Sequence, residues 1–121
     1  MIDHTGVHAT DVARSKAFYR AALAPLCYAV IMEFEDAVGF GVPPKPDFWV
    51  GQGKADILPT HVAFRAANRK EVDAFYKAAM AAGGRDNGPP GLRSHYHANY
   101  YGAFVLDPDG HNIEAVSHAP E

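Results

Sequence analysis

His4 and His61 stand at the head of two matching stretches, HTGVHATDVARSKAFYRAAL and HVAFRAANRKEVDAFYKAAM, 57 positions apart and without a gap. Two imidazoles at equivalent places in a repeat supply half of a metal site if the two copies face each other across a shared cleft. Two residues on stand Gly6 and Ala63, small enough to leave room for a substrate. A carboxylate is available in Glu114, set among Ile113, Ala115 and Val116. Burying it there is costly unless a cation or a hydrogen-bond donor compensates. His4, His61 and Glu114 form a 2-His-1-carboxylate set, which suits Fe(II), Mn(II), Zn(II) or Ni(II) and leaves coordination positions open. Glu114 is also the candidate catalytic group. Taken singly, each residue has a plainer reading: a strand histidine in a structural hydrogen bond, or a solvated strand-end glutamate. The symmetric placement of the two histidines is what favours the metal.

The remaining histidines carry less. His8 shares a strand face with His4, and Arg65 is its counterpart in the repeat. His118 follows Glu114 by four residues, and His111 belongs to a turn and reads as structural. His95 and His97 fall in RSHYHANYYG, a loop able to cap a pocket or simply to form polar surface. His8, Trp49, His97, Tyr100 and Tyr101 are the candidate substrate contacts, although the aromatic residues would serve equally as core. Other chemistries find no support. Asp107-Pro108-Asp109-Gly110 lacks the spacing of an EF-hand loop, no serine or cysteine has a nucleophile context, and no glycine-rich phosphate loop is present.

The elements that must position these groups follow from the repeat, in which seven of the twenty aligned pairs are identical. Each copy begins with a strand, Thr5–Thr10 or His61–Ala66. A helix follows, headed by Asp11 or Asn68, both N-cap types. Glu71, three residues after Asn68, completes a capping box. Val72, Phe75, Tyr76, Ala79 and Met80 recur at helical spacing, and Gly83-Gly84 ends the helix, as Pro25 closes the first. Strands are expected at 28–33, 37–41 and 48–51, and again at 101–106 and 112–116 around the Asp107–Gly110 turn. The Gly- and Pro-rich stretch 83–99 reads as a loop with a short strand. The expectation is one α+β domain over 1–121 made of two tandem βαβββ modules, about 1–51 and 60–118. Their strands would curl as a mixed sheet around a shared metal cleft.

Composition narrows the setting. The 121 residues carry 11 Lys and Arg against 14 Asp and Glu, a net charge of −3, so a sequence-independent grip on nucleic acid is not expected. No apolar run is long enough to span a bilayer, and the first residues lack the pattern of a secretory leader. A single cysteine, Cys27, excludes an internal disulfide and points to the cytoplasm.

The opening IDHTGVHATDVARSKAFYRAALAPL, the central THVAFRA and above all the closing FVLDPDGHNIEAV resemble the vicinal oxygen chelate superfamily. It includes glyoxalase I, fosfomycin-resistance thiol transferases, extradiol dioxygenases, methylmalonyl-CoA epimerase and bleomycin-resistance proteins. The resemblance implies paired βαβββ modules around a metal cleft, often in a homodimer. The family's ligands would fall on His4, His61 and Glu114. The fourth ligand of glyoxalase I would fall at Trp49, where no carboxylate stands. The implied three-ligand site is closer to the thiol transferases and dioxygenases than to lactoylglutathione lyase. A small oxygenated substrate chelated to a divalent ion, with or without a thiol co-substrate, is the expected chemistry. The alternative is a binding protein of the bleomycin-resistance type that holds its ligand without turnover.

Overall fold

The computed structural model covers Met1–Glu121. Its first half runs β1 (Thr5–Ala9), α1 (Val12–Ala22), a 3₁₀ turn (Ala24–Leu26), β2 (Ala29–Glu33), β3 (Ala37–Gly41) and β4 (Phe48–Gln52). The second runs β5 (His61–Arg65), α2 (Arg69–Ala81), β6 (Arg85–Leu92), β7 (Tyr101–Leu106) and β8 (Asn112–Ser117). One sheet is ordered β1-β4-β3-β2 and the other β5-β8-β7-β6, each with one parallel pair and two antiparallel ones. The duplication therefore extends from sequence to topology. The two sheets form no ladder with each other and stay open.

Local signals set the helices. The Asp11 carboxylate accepts from the amide of Arg14, and Asn68 Oδ1 accepts from that of Glu71. Glu71 reaches back to the amide of Ala67, one residue before the position a capping box would use. Phe18, Tyr19 and Ala22 of α1 and Val72, Phe75 and Ala79 of α2 are buried. The modules meet through these helices and through Phe64, whose ring packs edge-on against Phe48 at 5.0 Å and Tyr28 at 5.4 Å. Each such aromatic contact contributes about 0.5–1.5 kcal/mol beyond the area it buries.

The Asp107–Gly110 turn clasps the modules together. Asp107 is buried and accepts from the Tyr19 hydroxyl and from the amides of Asp109 and His111. Asp109 accepts from the amide and hydroxyl of Thr10. His111, also buried, accepts from the Thr60 amide at Nδ1, 3.0 Å, and donates from Nε2 to the His8 carbonyl, 2.7 Å. Both partners are fixed by atoms that cannot change roles, so the ring is held as the neutral Nε2–H tautomer. Its structural assignment holds.

One element differs from expectation. The stretch read as a loop with a short strand contains the eight-residue β6, despite Pro89 and Pro90. β6 is an edge strand whose pairing with β7 breaks register around Gly88, so prolines there cost little.

Candidate functional site

Glu114 lies on β8, paired with Ala63 of β5 on one side and Phe104 of β7 on the other. Its carboxylate is 2% exposed, and both of its oxygens are engaged. Oε1 lies 3.2 Å from His61 Nε2, and Oε2 accepts from the Tyr100 hydroxyl. A side chain at Gly102 would crowd this contact, since a Cβ there would lie 3.3 Å from Glu114 Oε2 and 3.2 Å from the Tyr100 ring. Burial, and after it the Glu114 carboxylate, push the Tyr100 hydroxyl well above the usual tyrosine range, so it stays a donor at neutral pH.

The orientation of His61 carries the chemical information. Its Nδ1 lies 2.9 Å from the carbonyl oxygen of Asn112. A carbonyl only accepts, so Nδ1 holds a proton, and in the neutral ring Nε2 is a bare lone pair aimed at a carboxylate oxygen. Two electron-rich atoms at that separation are held by a proton on the ring or by a cation between them. A backbone carbonyl fixing the far nitrogen is also the usual support of a metal-binding histidine. His61 and Glu114 therefore fit as two ligands of a divalent ion.

His4 does not join them. It precedes β1, is exposed, and pairs through Nδ1 with Asp3 Oδ1 at 2.8 Å. That hydrogen bond, followed by Lys45, lowers the Asp3 carboxyl below the usual carboxylate range. No group of three or more His, Cys, Asp or Glu side chains within the chain is placed to hold a metal ion. Nor do the chain's three concavities contain His61 or Glu114. The His61 side chain is 48% exposed, on an open sheet face rather than in an enclosed pocket.

The other candidates divide. The rings of Tyr100, His118 and His97 adjoin one another, with centroids 5.2 and 5.6 Å apart, beside Glu114. Tyr101 points the opposite way, because strand neighbours alternate faces. Its hydroxyl donates to Asp73 of α2 at 2.7 Å and Arg69 covers its ring, so it belongs to the helix packing rather than to the site face. His8 lines a hollow of about 570 Å³ beside the linker, with Gln52, Lys54 and Ile57. Trp49 pairs with Gly6 as Glu114 pairs with Ala63, so the register makes it the counterpart of Glu114. Its indole lies over Gly39 and stacks with Phe34 at 6.2 Å.

Phe104 and Arg93 were not foreseen. Phe104 stacks with the His61 ring at 6.3 Å, and the Arg93 guanidinium lies over the Phe104 ring, 5.5 Å from its centre. Counting outward from the Asp107–Gly110 turn would have placed Phe104 opposite Glu114. Arg93 follows an irregular strand and left no such signal.

Comparison with solved structures agrees with this architecture. A glyoxalase/bleomycin resistance protein from Albidiferax ferrireducens T118 superposes with a TM-score of 0.81 at 27% identity, over 98% of each chain. A glyoxalase/bleomycin resistance protein/dioxygenase family enzyme from Burkholderia phytofirmans PsJN gives 0.76 at 17%, again over 98% of each. Lactoylglutathione lyase from Agrobacterium tumefaciens gives 0.72 at 18%, over 97% of this chain and 92% of that one. No curated protein matches in sequence. The family profile that matches spans residues 31–115, from β2 to the strand bearing Glu114, and with it the chain belongs to the Glyoxalase/Bleomycin resistance protein/Dioxygenase superfamily.

Proposed function

We propose that the protein is a metal-dependent enzyme of this superfamily, whose site is built between two copies of the chain. His61 and Glu114 of one copy and His4 of the partner subunit would hold a divalent ion, Zn(II), Fe(II), Mn(II) or Ni(II). The observation that carries this is the His61–Glu114 pair, in which a ring held at Nδ1 by the Asn112 carbonyl turns Nε2 to a buried carboxylate oxygen 3.2 Å away. The open face around it, with no third ligand supplied by the same chain, favours completion by a second copy. Module one offers a complementary wall, since Met32 and Phe34 are exposed near Trp49.

A divalent ion there would polarise two oxygens of a small oxygenated substrate and stabilise negative charge as it develops. The chain's own residues orient and shield. Tyr100 holds Glu114 Oε2, which leaves Oε1 facing His61 Nε2. Phe104 lies beside the imidazole, with the ring centroids 6.3 Å apart, and gives it an apolar neighbour. With Trp49 in place of a fourth ligand, the reaction is expected to be of the thiol-transferase or dioxygenase kind, with a thiol as the second substrate in the first case. The exposed lone Cys27 is compatible with a cytoplasmic setting.

Elemental analysis and Mn(II) titration test the proposal. Wild-type protein should bind close to one ion per chain, and His61→Ala and Glu114→Ala should lose it. Equal metal content in wild type and both variants would overturn it. A second reading, ligand sequestration without turnover, is favoured by the Phe34–Trp49 stack and would be marked by tight binding of a flat ligand to metal-free protein.

A further inference from the structure

Arg93 is held in place on the site face without a carboxylate partner. Arg14, Lys16, Lys45 and Arg69 pair with acidic side chains, whereas Arg93, like the six other Lys and Arg residues, makes no such pair; what sets Arg93 apart is how it is held. Its Nη2 donates to the Pro89 carbonyl at 2.8 Å, and its Cζ lies 5.5 Å from the centre of the Phe104 ring. β6 makes room for this pose. A Cβ at Gly91 would lie 3.0 Å from Nη1, and one at Gly88 would lie 3.2 Å from Nη2 and 3.0 Å from the Phe104 ring. The guanidinium thus rests in a backbone cradle with most of its five donors unspent. Phe104 connects it to the site, because the same ring stacks on His61 and pairs across the ladder with Glu114.

We propose that Arg93 is the anion-receiving residue of this site and that the substrate carries an oxyanion group, a carboxylate or a phosphoryl-type group, at the Phe104 end. The inference rests on the reading of His61 and Glu114 as the reacting end, and it specifies the substrate class. A guanidinium fixed on an aromatic ring loses little freedom on binding and matches an oxyanion with two parallel N–H donors. Phe104 then sets the distance between the anionic group and the oxygens presented to the metal ligands.

Metal-free protein should be titrated with malonate and with inorganic phosphate by isothermal titration calorimetry, for wild type, Arg93→Gln and Gly91→Ala. Binding is expected in wild type, at least about tenfold weaker in Arg93→Gln, and several-fold weaker in Gly91→Ala, whose new methyl displaces the guanidinium without removing its charge. Preference for malonate would identify a carboxylate substrate, and preference for phosphate a phosphoryl one. No wild-type binding, or equal affinity in wild type and Arg93→Gln with both folded, would overturn the proposal. A parallel Mn(II) titration separates it from the metal reading. Metal binding with Arg93-independent anion binding sinks this inference alone, and Arg93-dependent anion binding without metal binding sinks the metal site alone.

Discussion

Across the first sheet run Met32, Gly39, Trp49 and Gly6; across the second, at the same registers, run Gly88, Phe104, Glu114 and Ala63. The backbone frame is duplicated, but the chemistry has been divided. In module one a large ring occupies the β4 position and a glycine on β3 receives it, giving an apolar wall continued by Phe34. In module two the equivalent position is a buried carboxylate, and the aromatic ring has moved to the neighbouring strand as Phe104. A buried carboxylate needs donors, and it has recruited Tyr100 and His61, whereas the indole needs only apolar contact. Duplication thus yields one face built around a buried carboxylate and one built around an indole.

The contrast can be broken at the two matched positions. Glu114→Ala should weaken divalent-metal affinity by about a thousandfold, roughly 4 kcal/mol, since it would remove one of the three proposed ligands. Trp49→Ala should leave the affinity of an assembled site within about threefold, as measured by isothermal titration. Next comes the clasp joining the modules. Asp107→Ala leaves the Tyr19 hydroxyl and two amides without their acceptor and should cost about 3 kcal/mol in urea denaturation. Tyr100→Phe should reduce metal affinity about tenfold, because it frees Glu114 Oε2 rather than deleting a ligand, and should cost about 1–3 kcal/mol of stability, because a buried carboxylate oxygen loses its donor.

The smallest effect is one of pH. Burial, followed by the Asp107 charge, pushes the Tyr19 hydroxyl far above its ordinary value of 10.0. The folded state keeps this proton while the unfolded chain releases it. Its contribution to stability is therefore complete below about pH 10 and declines as pH rises further. Tyr19→Phe should flatten that alkaline decline in thermal melts, and an unchanged slope would show that Tyr19 does not contribute to it.

How much of this was legible in the sequence depends on how local its cause is. The helices were legible because Asp11, Asn68 and Gly83 act on their own neighbours. The equivalence of Trp49 and Glu114 was legible because an ungapped repeat preserves register. The face of Tyr101, a candidate substrate contact, was not legible, because a one-residue step along a strand reverses the face and only the ladder to Ser117 places it on the face opposite Glu114. β6 was hidden by its prolines, which an edge strand tolerates. The gathering of His4 with His61 and Glu114 was expected from the repeat symmetry within one chain, yet that symmetry does not say whether facing modules belong to one chain or two. Arg93 depends on irregular pairing around Gly88, which no local pattern announces.

The central claim, a metal site shared between two copies, is tested most directly by subunit complementation. His4→Ala and a His61→Ala/Glu114→Ala double variant would be purified, mixed in equal amounts, unfolded and refolded together, and assayed for tightly bound Mn(II). Each preparation alone should hold no tight metal. Random pairing gives half mixed dimers with one intact site each, so the mixture should recover about a quarter of the wild-type metal content. Recovery near that value would be the predicted result. No recovery, with mixed dimers present, would contradict a site built across the interface.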